Sequence, residues 1–217
     1  MSVARTIRAR VRDWLAPNEA GPGRWVVADT ETSGLDPARD ALLAIGAVAV
    51  DAAGICIDDS FEVVLRNEPV ADAGNVLVHG IGHAEQRAGI PADEALRTFS
   101  EFVAESPLVG FHVDFDRAVL TRAFKAADAE LPTIRWLDLA RLAPALLPEA
   151  YRGGARSLDD WLEWFGIRTL SRHMAAGDAL ASAEILLRLR ALAAQQGVRG
   201  FPALVRLSRQ PRWLGGT

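Results

Sequence analysis

Residues 25–37 read WVVADTETSGLDP and place two carboxylates at the end of an apolar segment. Residues 25–28 have the composition of a short buried strand. Asp29 and Glu31 follow two positions apart, so in an extended chain their side chains project from the same face. Neighbouring anions repel each other, and a divalent cation, a shared proton or solvent exposure relieves that repulsion. Taken alone, the pair is more typical of an exposed acidic turn than of a metal site.

The pattern on either side of this stretch predicts an α/β fold. Early strands, later helices and a strand-helix-strand-helix passage in the middle indicate a mixed sheet covered by helices. Further strands are predicted at residues 41–50, 55–65 and 108–111, with turns at Asp36-Pro37 and Ala53-Gly54. Helices are predicted at residues 92–104, 115–127, 137–147, 158–165 and 178–194.

Three segments are expected along the chain. Residues 1–22 predict an amphipathic basic helix and a linker, because Ile7 and Val11 recur at helical spacing among arginines. A docked helix with a solvated basic face is favoured there; a contact with nucleic acid or a partner, or a mitochondrial transit peptide, are the alternatives. Residues 23–195 are expected to form one main domain, and residues 196–217 a basic C-terminal tail.

The composition is that of an ordinary globular protein, with 50% hydrophobic and 24% charged residues. The single cysteine, Cys56, has no second thiol for a disulfide or a zinc site, which favours a reducing, cytoplasmic location. No window approaches the roughly 18 apolar residues that a membrane span needs. The net charge of −4 argues against a generally basic nucleic-acid surface, but two divalent cations held by four acids would neutralise it.

Two further acidic segments stand where helices are predicted to begin. Residues 111–116 read FHVDFD and place Asp116 in a first helical turn. Residues 173–178 read HMAAGD and place Asp178 at the start of the last long helix. Helix capping alone would explain either acid, because negative charge stabilises a helix N-terminus. Their common position beside core segments is what links them to Asp29.

Together, these motifs resemble the DEDDh family of 3′→5′ exonucleases, ribonuclease H-like enzymes that include the proofreading epsilon subunit of bacterial DNA polymerase III. Residues 29–37 resemble the first family motif, Asp-x-Glu followed by a Thr/Ser-Gly-Leu turn. Phe115-Asp116 resembles the second motif, and His173-x-Ala-x-x-Asp178 resembles the third. The resemblance extends over residues 25–194 and consists of several motifs in the family's order.

One segment departs from the family pattern. Many members carry His-Asn-Ala where residues 111–113 here read Phe-His-Val. Asp114 therefore competes with Asp116 for the acidic position of the second motif, although the Phe-Asp pair directly before the helix favours Asp116. Residues 78–81, VHGI, and the Leu137-Asp138 pair before a helix also resemble family segments.

The resemblance implies both a fold and a catalytic site. The fold is a mixed sheet of three antiparallel strands followed by parallel strands, flanked by helices. The site holds two divalent cations, Mg²⁺ or Mn²⁺, which activate water and stabilise the leaving oxygen, while His173 accepts the proton of the water. The implied metal ligands are Asp29, Glu31, Asp116 and Asp178, with Asp29 shared between the ions. The implied contacts to the terminal nucleotide are Thr30, Thr32, Leu35 and His79.

The implied activity is release of nucleoside 5′-monophosphates from 3′ ends. Single-stranded DNA is the favoured substrate, because the first motif and the Phe-Asp helix most resemble the polymerase-associated branch, and a DNA polymerase subunit is a candidate partner. RNA 3′-end trimming is the alternative within the family. A polymerase-binding module with little activity is the alternative from another class. Trp161 and Trp164, three positions apart, are predicted to pack in the core rather than to stack on bases.

Overall fold

The computed structural model describes residues 23–68, 80–130, 132–169 and 171–210. The predicted basic helix within residues 1–22 and the predicted nucleotide contact His79 lie outside the described residues. The described part of the chain forms a five-stranded sheet with a hydrophobic cluster on each face.

The sheet has the order β3-β2-β1-β4-β5, so the strand that ends in the acidic pair is central. β1 pairs antiparallel with β2, and β2 with β3, whereas β1 pairs parallel with β4, and β4 with β5. This topology confirms the predicted α/β fold with three antiparallel strands followed by parallel ones. The strands are β1 Trp25–Thr32, β2 Leu42–Val50, β3 Ile55–Val64, β4 Leu108–Gly110 and β5 Trp136–Asp138.

Helices occupy much of the chain after β3, as predicted. The described helices are α1 His83–Ala88, α2 Ala92–Val103, α3 Val113–Ala126, α4 Leu139–Leu146, α5 Pro148–Arg152, α6 Leu158–Phe165, α7 Ala175–Gln195 and α8 Phe201–Ser208. Among the described residues, no helix combines the length and the apolar composition that crossing a membrane requires.

Alternating side chains of β1 bury into two separate cores. Val27 belongs to a cluster formed with residues of α4, α6, α7 and α8 on one face of the sheet. Val26 and Ala28 belong to a second cluster, formed with residues of α2 and α3 on the other face. Because side chains alternate along a strand, the residues that follow Ala28 are also directed alternately toward α7 and toward α3.

The helix predicted at residues 137–147 begins later than expected. Residues 136–138 pair with β4 as a short parallel strand, and Asp138 then caps α4 by accepting a hydrogen bond from the backbone N–H of Ala140 at 2.9 Å. A strand of three residues is too short to show a periodic pattern of its own. The sequence pattern therefore does not separate Leu137 from the apolar face of the helix that follows.

The predicted C-terminal tail is part of the domain core where it is described. Residues 196–217 were expected to be a basic appendage, but α8 buries Phe201, Leu204 and Leu207 in the cluster on the α7 side. The ring of Phe201 packs edge-on against Trp25 with centroids 5.3 Å apart. Arg199, Arg206 and Arg209 make this segment basic overall, which obscures the spacing of three residues between its apolar positions.

The prediction for the two tryptophans of α6 was half wrong. Trp161 is buried in the core, whereas Trp164 is 51% exposed. Leu158, Trp161 and Leu162 form the buried side of this helix. A residue six positions after Leu158 lies about 120° away from that side, because each residue turns an α-helix by about 100°. Trp164 therefore faces solvent.

Candidate active site

The end of β1 presents two carboxylates on the α7 side of the sheet. Asp29 pairs with Gly46 and Glu31 with Ala44 across the antiparallel ladder to β2. Both acids continue the face on which Val27 is buried, because they lie two and four positions beyond it. The pairing register becomes irregular after Glu31, so the regular strand ends just beyond the acidic pair.

Gly46 allows the first turn of α7 to lie directly on the sheet. A Cβ atom at this position would overlap backbone atoms of residues 175–176. This close approach brings Asp178, in the same turn, beside the acidic pair of β1. One carboxylate oxygen each from Asp29, Glu31 and Asp178 lies within 4.8 Å of the others. Two segments distant in sequence thus form one acidic cluster.

Asp116 reaches the same strand end from the opposite face. It lies in the first turn of α3, is 7% exposed, and accepts a hydrogen bond of 2.7 Å from the hydroxyl of Thr30. Its competitor Asp114 is exposed and forms ion pairs with Arg117, at 2.9 Å, and with Arg141. The structure therefore places Asp116, and not Asp114, beside the acidic pair.

Burial makes the negative charge of this cluster unfavourable. It raises the pKa of Asp29 well above its usual value, and the charges of Asp116 and Glu31 raise it further. Burial also raises the pKa of Glu31 to about 7, although the nearby guanidinium of Arg172 opposes this effect. The pKa of Asp116 rises to about 6 by burial, and the hydrogen bond from Thr30 limits the increase. The cluster requires added positive charge to be fully ionised.

Arg172 is a cation of the site that sequence reasoning missed. Its guanidinium forms ion pairs with Asp178 and, at 2.6 Å, with Asp159 in the first turn of α6. In the sequence, its role in the site is indicated by its position directly before His173. The identity of its acidic partners depends on how α6 packs beside α7, which no local pattern specifies.

His173 lies in the turn before α7 and contacts Asp178 of the cluster through its backbone. Its side chain is exposed, and its backbone N–H donates to a carboxylate oxygen of Asp178 at 3.3 Å. Its backbone has a φ of 60°, in the left-handed region that few non-glycine residues adopt. The chain turns sharply there, immediately before α7 begins.

The loop after β1 exposes an apolar side chain next to the acidic pair. Leu35 is 93% exposed, whereas the hydroxyl of Thr32 donates to the carbonyl of Gly34 at 2.6 Å. Asp40 accepts the N–H of Asp36 at 2.7 Å and holds the turn. On the α3 side, the guanidinium of Arg122 donates to the carbonyl oxygens of residues 37 and 40. Leu35 therefore projects from an ordered loop.

Comparison with known families identifies the chain. The profile of the RNase_T family, described as Exonuclease, matches residues 26–186, which include all the acidic residues discussed above. The chain belongs to this exonuclease family. The matched region begins in β1 and ends within α7. Membership of this family confirms the resemblance that the three motifs indicated.

Relatives of this exonuclease domain include bacterial DNA polymerase components. DNA polymerase III PolC-type of Thermotoga maritima is 27% identical over 190 residues, covering 86% of this chain and 13% of that protein. A DNA polymerase III subunit epsilon-like protein of Rhodobacter capsulatus is 31% identical over 186 residues, covering 83% of this chain and 26% of that protein. The chain thus spans only a small part of the length of these relatives.

Solved structures show that the exonuclease fold is shared. E. coli exonuclease I in complex with a dT13 oligonucleotide aligns with a TM-score of 0.68 at 17% identity, over 81% of this chain and 42% of that one. Cell-death related nuclease 4 aligns with a TM-score of 0.67 at 17% identity, over 83% of this chain and 67% of that one. At this level of identity the likeness concerns the fold.

The donor set of this exonuclease domain fits a divalent cation. Asp29, Glu31 and Asp178 offer carboxylate oxygens at close range, and hard oxygen ligands suit Mg²⁺ and Mn²⁺. The raised pKa values of Asp29 and Glu31 show that the surrounding protein stabilises these negative charges poorly. A bound cation would supply that stabilisation.

Proposed function

We propose that this chain is a metal-dependent 3′→5′ exonuclease that releases nucleoside 5′-monophosphates from the 3′ end of single-stranded nucleic acid. The observation that carries the proposal is the cluster of Asp29, Glu31 and Asp178, whose oxygens lie within 4.8 Å of one another in a domain of the exonuclease family. Asp116, buried against Thr30 at the end of the same strand, completes the acidic set.

The proposed metal ligands are the four carboxylates that meet at the end of β1. Asp29 is central, because Glu31 and Asp178 lie beside it on one face and Asp116 approaches from the other. Divalent cations bound there would neutralise charge on a phosphodiester and lower the pKa of a bound water. Thr30 would orient Asp116 through its hydroxyl, and this hydrogen bond favours the ionised carboxylate that a cation needs.

His173 is the proposed general base. Its backbone N–H contacts Asp178 and its side chain is exposed, so the imidazole would accept a proton from water and pass it to solvent. Histidine is the side chain that most often serves as a general base in enzymes.

Leu35 is the proposed apolar contact for the terminal base. An exposed leucine on a loop held by Asp40 and Arg122 can press against any base without reading its sequence. Thr30 and Thr32 would act mainly through their backbone, because their hydroxyls donate to Asp116 and Gly34. His79 stays a sequence-based prediction.

Single-stranded DNA is the proposed substrate class. Two relatives are a DNA polymerase III PolC-type protein and a DNA polymerase III subunit epsilon-like protein, and one neighbour of the same fold is exonuclease I bound to dT13. Association with a DNA polymerase is proposed on the basis of the same relatives. RNA trimming remains the alternative that the choice of substrates must test.

The proposal is tested with 5′-labelled single-stranded DNA and RNA of matched sequence, incubated with Mg²⁺ or with EDTA. Wild-type protein is expected to produce a ladder of products on DNA, each one nucleotide shorter, and EDTA is expected to abolish it. Asp29→Asn should remove the activity, because it takes one negative charge from the centre of the cluster. Asp58→Asn is the matched control, since Asp58 is exposed on β3.

The pattern of products distinguishes the alternatives. Faster shortening of RNA would replace DNA as the substrate and leave the chemistry unchanged. Absence of cleavage on both nucleic acids, with Mg²⁺ or Mn²⁺ present, would overturn the proposal and favour a binding module. Equal activity in Asp29→Asn and Asp58→Asn would show that the acidic cluster is not the active site.

A further inference from the structure

Two adjoining cavities form a cleft that runs along β5, the edge strand of the sheet, and past its carboxyl end. Their volumes are about 420 Å³ and about 710 Å³. The first lies between α3, β5 and α8, and the second extends from α3 past α4 toward Tyr151. Five lining residues are common to both, so the cavities are continuous: Asp114, Asp138, Arg141, Ser208 and Arg209.

The cleft is strongly basic although the chain as a whole carries a charge of −4. Its charged lining consists of five arginines and two carboxylates, and we call it the arginine cleft. The arginines are Arg117, Arg135, Arg141, Arg156 and Arg209. The carboxylates are Asp114 and Asp138.

The carboxylates of the arginine cleft are already engaged. Asp114 pairs with Arg117 and Arg141. Asp138 is 8% exposed and accepts backbone hydrogen bonds from residues 112 and 140. Within the described ranges, no ion pair is formed by Arg135, Arg156 or Arg209. Arg156 donates to the carbonyl oxygens of residues 151 and 155, and Arg135 lies over the ring of Phe201, but no carboxylate of the described residues neutralises the charge of these three guanidinium groups.

The arginine cleft lies next to the acidic cluster. β1, β4 and β5 are parallel neighbours, so their carboxyl ends meet at one edge of the sheet. The first turn of α3 joins the two sites, because it directs Asp116 to Thr30 while Asp114 and Arg117 line the cleft. A strand whose 3′ end lies at Asp116 would enter the cleft within a few nucleotides.

We propose that the arginine cleft binds the phosphodiester backbone of the single-stranded substrate upstream of its 3′ end; this rests on the proposed function. Guanidinium groups bind phosphate oxygens through paired N–H donors. Phe115 also lines the cleft and offers a ring on which a base can stack without sequence preference, whereas the ring of Tyr151 is covered by the guanidinium of Arg156 at 3.4 Å. The cleft therefore offers the two kinds of contact that hold a single strand.

The test measures binding rather than hydrolysis, so it does not depend on catalysis. Fluorescence anisotropy in EDTA compares labelled oligothymidylates of about 12 and about 3 nucleotides. The wild-type protein should bind the longer strand more tightly. The triple variant R135Q/R156Q/R209Q should bind it at least about tenfold more weakly. The slope of the logarithm of the binding constant against the logarithm of the salt concentration should also become shallower by about 2, because three phosphate contacts of about 0.7 each are lost.

A charge-matched control separates this cleft from general electrostatics. R97Q/R188Q/R199Q removes the same charge from three exposed arginines elsewhere and should leave the affinity near that of wild type. The variant R135K/R156K/R209K keeps the charge and should retain most of the salt dependence. That result would show that the glutamine variant loses DNA affinity because it loses positive charge. Thermal melting confirms that each variant is folded.

Several outcomes would overturn the inference. The first two are a glutamine triple variant that binds DNA as tightly as wild type, and a control triple variant that loses as much affinity as the glutamine variant. The others are a wild-type protein that does not prefer the longer strand, and a wild-type protein that binds a polyglutamate peptide more tightly than DNA. Binding with the expected pattern in a protein that cleaves neither DNA nor RNA would instead preserve the arginine cleft and reject the proposed function.

Discussion

Asp29 is the residue on which the other acidic side chains converge. Glu31 lies two positions further along β1, Asp178 arrives with α7, and Asp116 approaches from the α3 side. In the sequence each of these four acids stands where an element begins or ends beside an apolar segment, and the family resemblance implied their role as metal ligands. Arg172 could not be predicted in the same way, because its role arises from contacts between elements.

Arg172→Gln is expected to destabilise the metal-free protein. The variant removes the partner of Asp178 and a charge that lowers the pKa of Asp29 and Glu31. Because Arg172 is 21% exposed, the loss should be below that of a fully buried pair, about 2 kcal/mol in the free energy of unfolding. Urea unfolding in EDTA measures it. Arg168→Gln, at an exposed position, is the control, and equal losses in both variants would contradict this account.

His173→Ala is expected to lower turnover by about 100- to 10,000-fold, the usual contribution of a general base. Divalent-ion affinity should be nearly unchanged, because the carboxylates remain. His173→Asn provides a second readout, since asparagine tolerates the left-handed backbone found at this position but cannot accept the proton. Steady-state rates and Mn²⁺ titrations of both variants make the comparison. A wild-type rate in either variant would remove His173 from the mechanism.

At the scale of elements, long periodic segments could be predicted and short ones could not. The structure places α2, α3, α6 and α7 within three residues of their predicted limits at either end. The three-residue strand β5 and the short helices α1 and α5 gave too few positions to show a period. α8 did carry a signal, the apolar spacing of Phe201, Leu204 and Leu207, but its buried face became evident only from packing against Trp25.

Gly46→Ala is expected to displace α7 from the sheet. Its Cβ would overlap backbone atoms in the first turn of α7, and that turn carries Asp178. Overpacking of this kind costs about 1–3 kcal/mol, so the variant should be folded but less stable. Its exonuclease activity should fall more than its stability suggests, because Asp178 moves relative to Asp29. Gly23→Ala, where an added Cβ has open space, is the control, and equal activity of the two variants would contradict the account.

The fold of the whole molecule holds four carboxylates together at the end of β1, at a cost in folding free energy that depends on pH. The α7-side core, the α3-side core and the central strand all end at this cluster. The early strands and later helices predicted a mixed sheet covered by helices, and the family resemblance implied three antiparallel strands followed by parallel ones. The order β3-β2-β1-β4-β5, which brings distant acids to one edge, depends on long-range pairing that no single stretch encodes.

The metal-free protein is expected to lose stability as pH rises from about 5 to 7.5. Glu31 has a pKa of about 7 when folded against an ordinary value of 4.5, and Asp116 about 6 against 3.8. The folded state therefore holds protons that the unfolded chain releases, so stability declines through this window. Glu31 alone should contribute roughly 2–3 kcal/mol.

Denaturant unfolding in EDTA at several pH values tests this expectation. The double variant Glu31→Gln, Asp116→Asn should show a flatter profile, because neither replacement titrates. Excess Mn²⁺ should also reverse the trend in wild type, since cations compete with protons for the carboxylates. Identical profiles for the wild type and the double variant would contradict the assigned pKa directions.

Calorimetric titration of the metal-free protein with Mn²⁺ tests the central claim, that the carboxylates at the end of β1 form a divalent-metal site. The wild type is expected to bind Mn²⁺, Asp29→Asn to bind it much more weakly, and Asp58→Asn to match the wild type. A wild-type protein that binds no Mn²⁺, or an Asp29→Asn variant that binds it as well as Asp58→Asn does, would contradict a metal site at the end of β1.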